Sequence, residues 1–261
     1  MLWFVKQPKY MVGTLLVGIA MAVTISLGFW QLDRLGERRE MNQVREDIRS
    51  QPPLALPAEA PPVPLWAWNE RPVEAYGRFS TAPVFLIVNR ALHAQAGAHV
   101  VSPFQTVSGE LLFVDRGWIP VRLRETPPAP PEGLVRIEGY WQALPDDGYP
   151  ARRPELADGL WLRLDPEGKA AMAERLDATW PARPEWGDGE FLPYGMIMTQ
   201  SVVMPEGPED RYPIPVGLSP LGEGAHLSYA IQWFSFATIF LVGWMFYLRK
   251  SIRKGRGESG R

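Results

Sequence analysis

The stretch Leu227–Leu248, LSYAIQWFSFATIFLVGWMFYL, decides how the whole chain is read. It holds 22 residues without a charge, and Arg249, Lys250, Arg253 and Lys254 follow closely. At about 1.5 Å per residue a helix of this length reaches roughly 33 Å, enough to cross a hydrocarbon core. A basic flank of this kind marks the cytoplasmic side. His226 then stands at the other end, where the helix enters the outer interface, and an imidazole is placed at a boundary between water and lipid.

A second apolar run, Tyr10–Leu32, is free of charge over 23 residues, with Lys6 and Lys9 before it. A cleavable signal peptide has a shorter apolar core, about 7–15 residues, and ends at small residues. This run ends in Gly28-Phe29-Trp30-Gln31-Leu32, so an uncleaved span is expected. Two spans with basic outer flanks put both termini in the cytoplasm and the intervening chain outside. The expected fold class is therefore a membrane protein of α+β type, in which two transmembrane helices flank a β-rich extracytoplasmic domain. The expected segments are a span over 10–32, a charged helical extension and Pro-rich linker over 33–64, the β-rich domain over 65–225, the second span over 226–248 and a basic tail over 249–261.

Charge distribution agrees with this layout. The net charge is only −2, yet 19 basic and 28 acidic residues lie between Tyr10 and Leu248, while both ends are basic. Nucleic-acid binders need clustered positive charge, so nucleic acid is excluded as a partner and the lipid bilayer is expected. The chain has no cysteine, which rules out disulfides, thiolate metal sites and a redox CxxC pair.

The charged stretch after the first span carries Leu32, Leu35, Met41, Val44 and Ile48 at helical spacing, and Pro52-Pro53 end it. Strands are then expected over 71–79, 84–90, 99–107, 111–119, 134–142, 160–164 and 191–204, from β-branched and aromatic runs parted by turn residues. Gly109 makes the third and fourth of these a hairpin. Asp165 reads as the N-cap of a helix with Pro166 at its first position, running to about Leu176. A small barrel or sandwich is the expected form.

Catalytic motifs are missing: no HExxH, GxSxG, Walker loop or GxGxxG occurs, and no enzyme activity is expected. Asp146-Asp147 lies in a Gly/Pro turn and reads as solvated loop. His93 and His99 sit in LHAQAGAHV without a third His or a Cys to complete a metal set, and read as loop histidines. His226 differs by its position at a span's end. Tyr229, Ala230 and Trp233 follow at i+3, i+4 and i+7, on the same helix face. On the first span Gln31 and Arg34 share a face at the same outer level, with Trp30 beside them. A haem would suit this layer: His226 supplies an axial nitrogen to iron and Arg34 pairs with propionates. The same residues also read as an interfacial aromatic belt that needs no cofactor.

GFWQLDR at Gly28–Arg34, RPVEAYGRF at Arg71–Phe79, VDRGWIP at Val114–Pro120, EGYW at Glu138–Trp141 and HLSYAIQWFSFA at His226–Ala237 resemble the Surfeit-locus-one family of cytochrome c oxidase assembly factors. The matches run in family order over nearly the whole chain; Asp115 stands where many members carry Asn. The resemblance implies two spans flanking an outer β-rich domain and a part in maturing the catalytic subunit of haem–copper oxidases. It further implies transient carriage of haem a, received from the haem a synthesis machinery, with His226 as the iron ligand. Arg116 and Trp118 are expected either to contact a partner or to be core strand residues, the arginine in a salt bridge. The competing expectation is a membrane scaffold that stabilises an oxidase assembly intermediate without binding haem. The start of the chain lacks an Arg/Ser-rich amphipathic segment, which leads to the expectation of a bacterial inner membrane with the central domain in the periplasm.

Overall fold

The computed structural model describes residues 8–56, 68–80, 84–144, 160–165, 168, 170–172, 174, 195–203 and 212–258. Asp146-Asp147, Pro166, the predicted helix end near Leu176 and most of the Pro-rich linker lie outside them. The chain divides into two compact units, Met1–Val44 with Leu221–Arg261, and Arg45–Pro220.

The first unit is a pair of helices. No proline occurs between Pro8 and Pro52, and helix α1 runs unbroken over Pro8–Arg49, its last turn belonging to the second unit. Helix α2 covers His226–Glu258. Both are long and apolar enough to cross a membrane. Along α1 the residues Val17, Met21, Thr24, Gly28, Gln31, Leu35, Arg38 and Asn42 recur at alternating steps of four and three, the spacing of a coiled-coil seam. The middle four are buried. Ala230 and Ala237 are buried on the facing side of α2.

The two helices run antiparallel. Near the start of α1 the Trp244 indole N–H donates to Thr14 Oγ1 at 3.2 Å, and the Tyr10 and Tyr247 rings lie 6.3 Å apart. At the far end Gln31 meets His226. A Cβ on Gly28 would come within 2.6 Å of the Phe234 ring, so this close approach requires glycine, as in many packed membrane helices. Leu15, Leu16, Ile19 and Val23 on α1, with Ile231, Ile239 and Phe246 on α2, are more than half exposed. Apolar surface on this scale is what a lipid-facing helix pair presents.

The second unit is built on a mixed sheet of β1 (Leu54–Leu56), β2 (Pro72–Phe79), β3 (Phe85–Leu92), β4 (Gln95–Thr106), β5 (Leu111–Pro120), β6 (Val135–Ala143), β7 (Leu160–Trp161) and β8 (Gly195–Val203). The strand order is β1-β2-β6-β8-β5-β4-β3-β7, and a further pairing joins β2 to β4 through Gly77–Thr106, Arg78–Gln105 and Phe79–Phe104. Strands β2, β6, β8, β5 and β4 therefore close a five-stranded ring. Period-two alternation sorts β5 between two cores: Leu112 and Val114 point into the ring with Phe79, Phe104, Ile137, Trp141 and Ile197, while Phe113 packs outside with Phe85, Ile87, Trp161 and Met172. The sheet of the α+β class is thus present, as a small barrel.

Two features depart from the sequence reading. The turn at 93–99 is shorter than expected: β3 and β4 form a tight hairpin whose two turn residues, His93 and Ala94, have φ of 47° and 64°, and β4 begins at Gln95 rather than His99. Strand β1, a three-residue piece between prolines, pairs parallel to β2 inside the predicted linker. Asp165 does cap a helical segment, its Oδ1 accepting the Gly168 N–H at 2.6 Å.

Within this unit Glu70 joins the last turn of α1 to the barrel. Its carboxylate accepts from Arg45 Nε at 2.9 Å, from Arg45 Nη2 and from Arg49 Nε at 3.1 Å. Burial pushes the Glu70 carboxyl up, but the hydrogen bonds and charges of Arg45 and Arg49 outweigh it and hold the group below the usual glutamate range. A lowered folded-state value contributes stability that is present above the ordinary glutamate pKa and lost as pH falls through the folded one. Glu70→Gln is expected to cost about 1–2 kcal/mol at neutral pH. It should also flatten the loss of stability on acidification, as read by thermal unfolding of the full chain across a pH series.

Candidate functional site

The polar residues of the helical unit gather where α2 begins. Arg38 Nε and Asn42 Nδ2 both donate to the Gly222 carbonyl, each at 3.1 Å. Arg39 holds Glu223 with two bonds, at 2.8 and 3.0 Å. These contacts fasten the loop before α2 to the seam face of α1. Gly224 then takes a φ of 73°, where a Cβ would lie 3.3 Å from His226 Cδ2 and 3.5 Å from Nε2. The left-handed turn is met by glycine.

His226, the first residue of α2, is half-buried, and its Nδ1 lies 2.9 Å from Gln31 Oε1. An amide oxygen can only accept, so Nδ1 is the donor of this bond. Gln31 is 9 % exposed and sits in the seam between Gly28 and Leu35. The expected meeting of the two outer helix ends thus occurs through Gln31. Arg34 does not reach His226: it is exposed, pairs with Glu37 at 2.5 Å, and lies 5.8 Å over the Trp30 ring. Trp30 and Tyr229 are half exposed, and Trp233 packs edge-on against Phe236 at 5.8 Å.

The barrel handles its polar groups differently. His99 is in mid-strand, and its Nδ1 lies 2.6 Å from Asp115 Oδ2, while Asp115 Oδ1 accepts the Gly117 N–H at 2.9 Å. This pair across β4 and β5 was not visible in the sequence, because 16 residues separate the partners and only the strand register joins them. Among the described residues no group of three His, Cys, Asp or Glu side chains is placed to hold a metal ion.

Arg116 and Trp118 are 5 % and 2 % exposed. Arg116 Nη1 and Nη2 donate to the Pro128 and Ala129 carbonyls, both at 2.9 Å, and the guanidinium lies 5.8 Å over the Phe79 ring. Carbonyl oxygens replace the salt bridge expected for a core arginine, and burial pushes the Arg116 pKa down to about 10. Trp118 donates from Nε1 to the Arg90 carbonyl at 3.3 Å, and its backbone pairs with Ile214.

The SURF1 family matches residues 18–238, a span that includes both Gln31 and His226. The chain belongs to the SURF1 family. A SURF1-like protein of Monosiga brevicollis is 27 % identical over 258 residues, covering 91 % of this chain and 87 % of that protein. SURF1-like proteins of Rickettsia felis and Rickettsia conorii are 24 % and 22 % identical, covering 91 % and 90 % of this chain and 97 % and 90 % of their own lengths. SURF1 proteins are known generally as oxidase assembly factors.

For this SURF1 chain the environment of Arg116 predicts a structural phenotype. Arg116→Ala leaves two carbonyls without donors and should destabilise the protein by about 2–4 kcal/mol, read as a lowered unfolding midpoint in denaturant. A variant of unchanged stability would show that the carbonyl contacts contribute nothing.

Proposed function

We propose that this SURF1 protein is an assembly factor of a haem–copper oxidase that carries haem a on His226 and passes it to the catalytic subunit. The observation that carries the reading is the His226–Gln31 pair: an imidazole whose Nδ1 is engaged by Gln31 Oε1 at 2.9 Å, which leaves Nε2 for a ligand. The residues fit the cargo chemically. Iron in haem takes an axial imidazole nitrogen, and the residue beside the His226 ring at position 224 is a glycine with no side chain of its own. Trp30, Tyr229 and Trp233 supply aromatic surface at the level where a porphyrin body would lie. Arg34 is the proposed partner of the propionates; its exposed pair with Glu37 is worth about 0–1 kcal/mol and exchanges readily for another carboxylate.

In this reading the helices span a bacterial inner membrane, both termini are cytoplasmic and the barrel is periplasmic. Haem a arrives from its synthesis machinery within the membrane. His226 holds the iron by one nitrogen, so an acceptor subunit offering two histidines draws the haem onward, downhill. The chain supplies binding, orientation and release, and no bond-making chemistry.

The test is spectroscopic. The protein is purified after co-expression with the enzymes that make haem a, and its absorption spectrum is recorded. A haem a spectrum is expected in the wild type, with His226→Ala retaining on the order of tenfold less haem or lower. A colourless wild type would favour a scaffold that stabilises an assembly intermediate. A haem content unaffected by His226→Ala would remove the ligand assignment.

A further inference from the structure

We infer that Gln31 is the positioning residue of His226: its side-chain carbonyl selects the Nδ1–H tautomer of the imidazole and so reserves Nε2 for an incoming metal centre. The inference rests on the carrier reading for its purpose, but its geometry stands without it. Three observations support it.

The contact is direct and short, 2.9 Å from Nδ1 to Oε1. Gln31 is buried in a helix seam with Gly28 one turn before it and Leu35 one turn after, so packing limits its rotamers. The loop that precedes His226 is tied to α1 through Arg38, Arg39 and Asn42, which holds the start of α2 beside Gln31. A buried amide oxygen at this depth cannot exchange its partner for water without cost, so the hydrogen bond persists through binding and release.

The chemical consequence concerns both nitrogens. Free neutral imidazole distributes its proton between Nδ1 and Nε2, and the fraction protonated at Nε2 cannot bind a metal there. An acceptor on Nδ1 removes that competition and orients the ring plane. Partners of this kind to a ligating histidine typically change metal affinity by about 10–100-fold. Gln31 therefore acts on iron through His226 and touches no iron itself, which separates it from Trp30 and Arg34 on the same helix.

The experiment uses the full chain in lipid nanodiscs, labelled with 15N-histidine. With three histidines in all, the His226 signals are assigned by their absence in His226→Ala. In the haem-free wild type at mildly alkaline pH, His226 is expected to show a protonated Nδ1 and a bare Nε2. Gln31→Leu should restore a substantial Nε2–H fraction and weaken ferric haem binding about tenfold, followed at the Soret band. Gln31→Glu keeps an acceptor oxygen and should retain both the tautomer and the affinity.

A wild-type His226 protonated at Nε2 overturns the inference directly, whatever the variants do. A Gln31→Leu protein with an unchanged tautomer also overturns it. Wild-type protein that shows the Nδ1–H tautomer but binds no haem leaves the positioning role intact and rejects the carrier reading instead.

Discussion

A polar side chain buried between two apolar helices has few partners, and the helical unit of this protein is organised around one such constraint. Gln31 and His226 meet side chain to side chain in a stretch of the seam flanked by Gly28 and Leu35. Each would carry an unpaired hydrogen-bonding group if the helices shifted by a turn. Apolar packing alone specifies helix register loosely, because lipid is as apolar as leucine. A single matched donor and acceptor removes that freedom. The glycine at 28, which admits the Phe234 ring, lies one turn away and reinforces the same register.

How much of this was legible in the sequence follows from the range of each interaction. Apolar length and basic flanks are local properties, so both long helices were readable, and alternation marked most of the barrel strands within a few residues. The tight two-residue form of the β3–β4 turn was not foreseen because His93 and Ala94 adopt left-handed conformations with none of the Gly, Asn or Asp that usually announces them. Strand β1 was missed because three residues between prolines give no period. Ring closure through β2 and β4, and the His99–Asp115 pair, depend on register between distant strands, which no single stretch encodes.

The candidate site shows the same division. Counting residues from the span ends placed His226, Gln31, Trp30 and Arg34 at one level. It did not reveal which side chain of α1 faces the imidazole, because that depends on the rotation of the helix. The signal was present as the alternating four-and-three spacing from Val17 to Asn42. On that spacing Gln31 falls in the seam and Arg34 falls beside it, which is why the arginine is left to Glu37 and Trp30.

Barrel and helix pair treat buried polarity in opposite ways, and the contrast explains where chemistry can occur. Inside the barrel Arg116 is occupied by the Pro128 and Ala129 carbonyls, and Asp115 by His99 and the Gly117 amide. Such groups are committed to holding strands and loops together, and removing any of them exposes a partner to an apolar interior. In the helix pair the His226 imidazole makes its hydrogen bond through Nδ1, to Gln31, and Gly224 stands beside the ring. On the proposed carrier reading, an imidazole held through one nitrogen leaves the other for a cargo that must later leave. In that reading two protein nitrogens on the same iron would bind more tightly and give the cargo up more slowly; one is enough to hold and to orient.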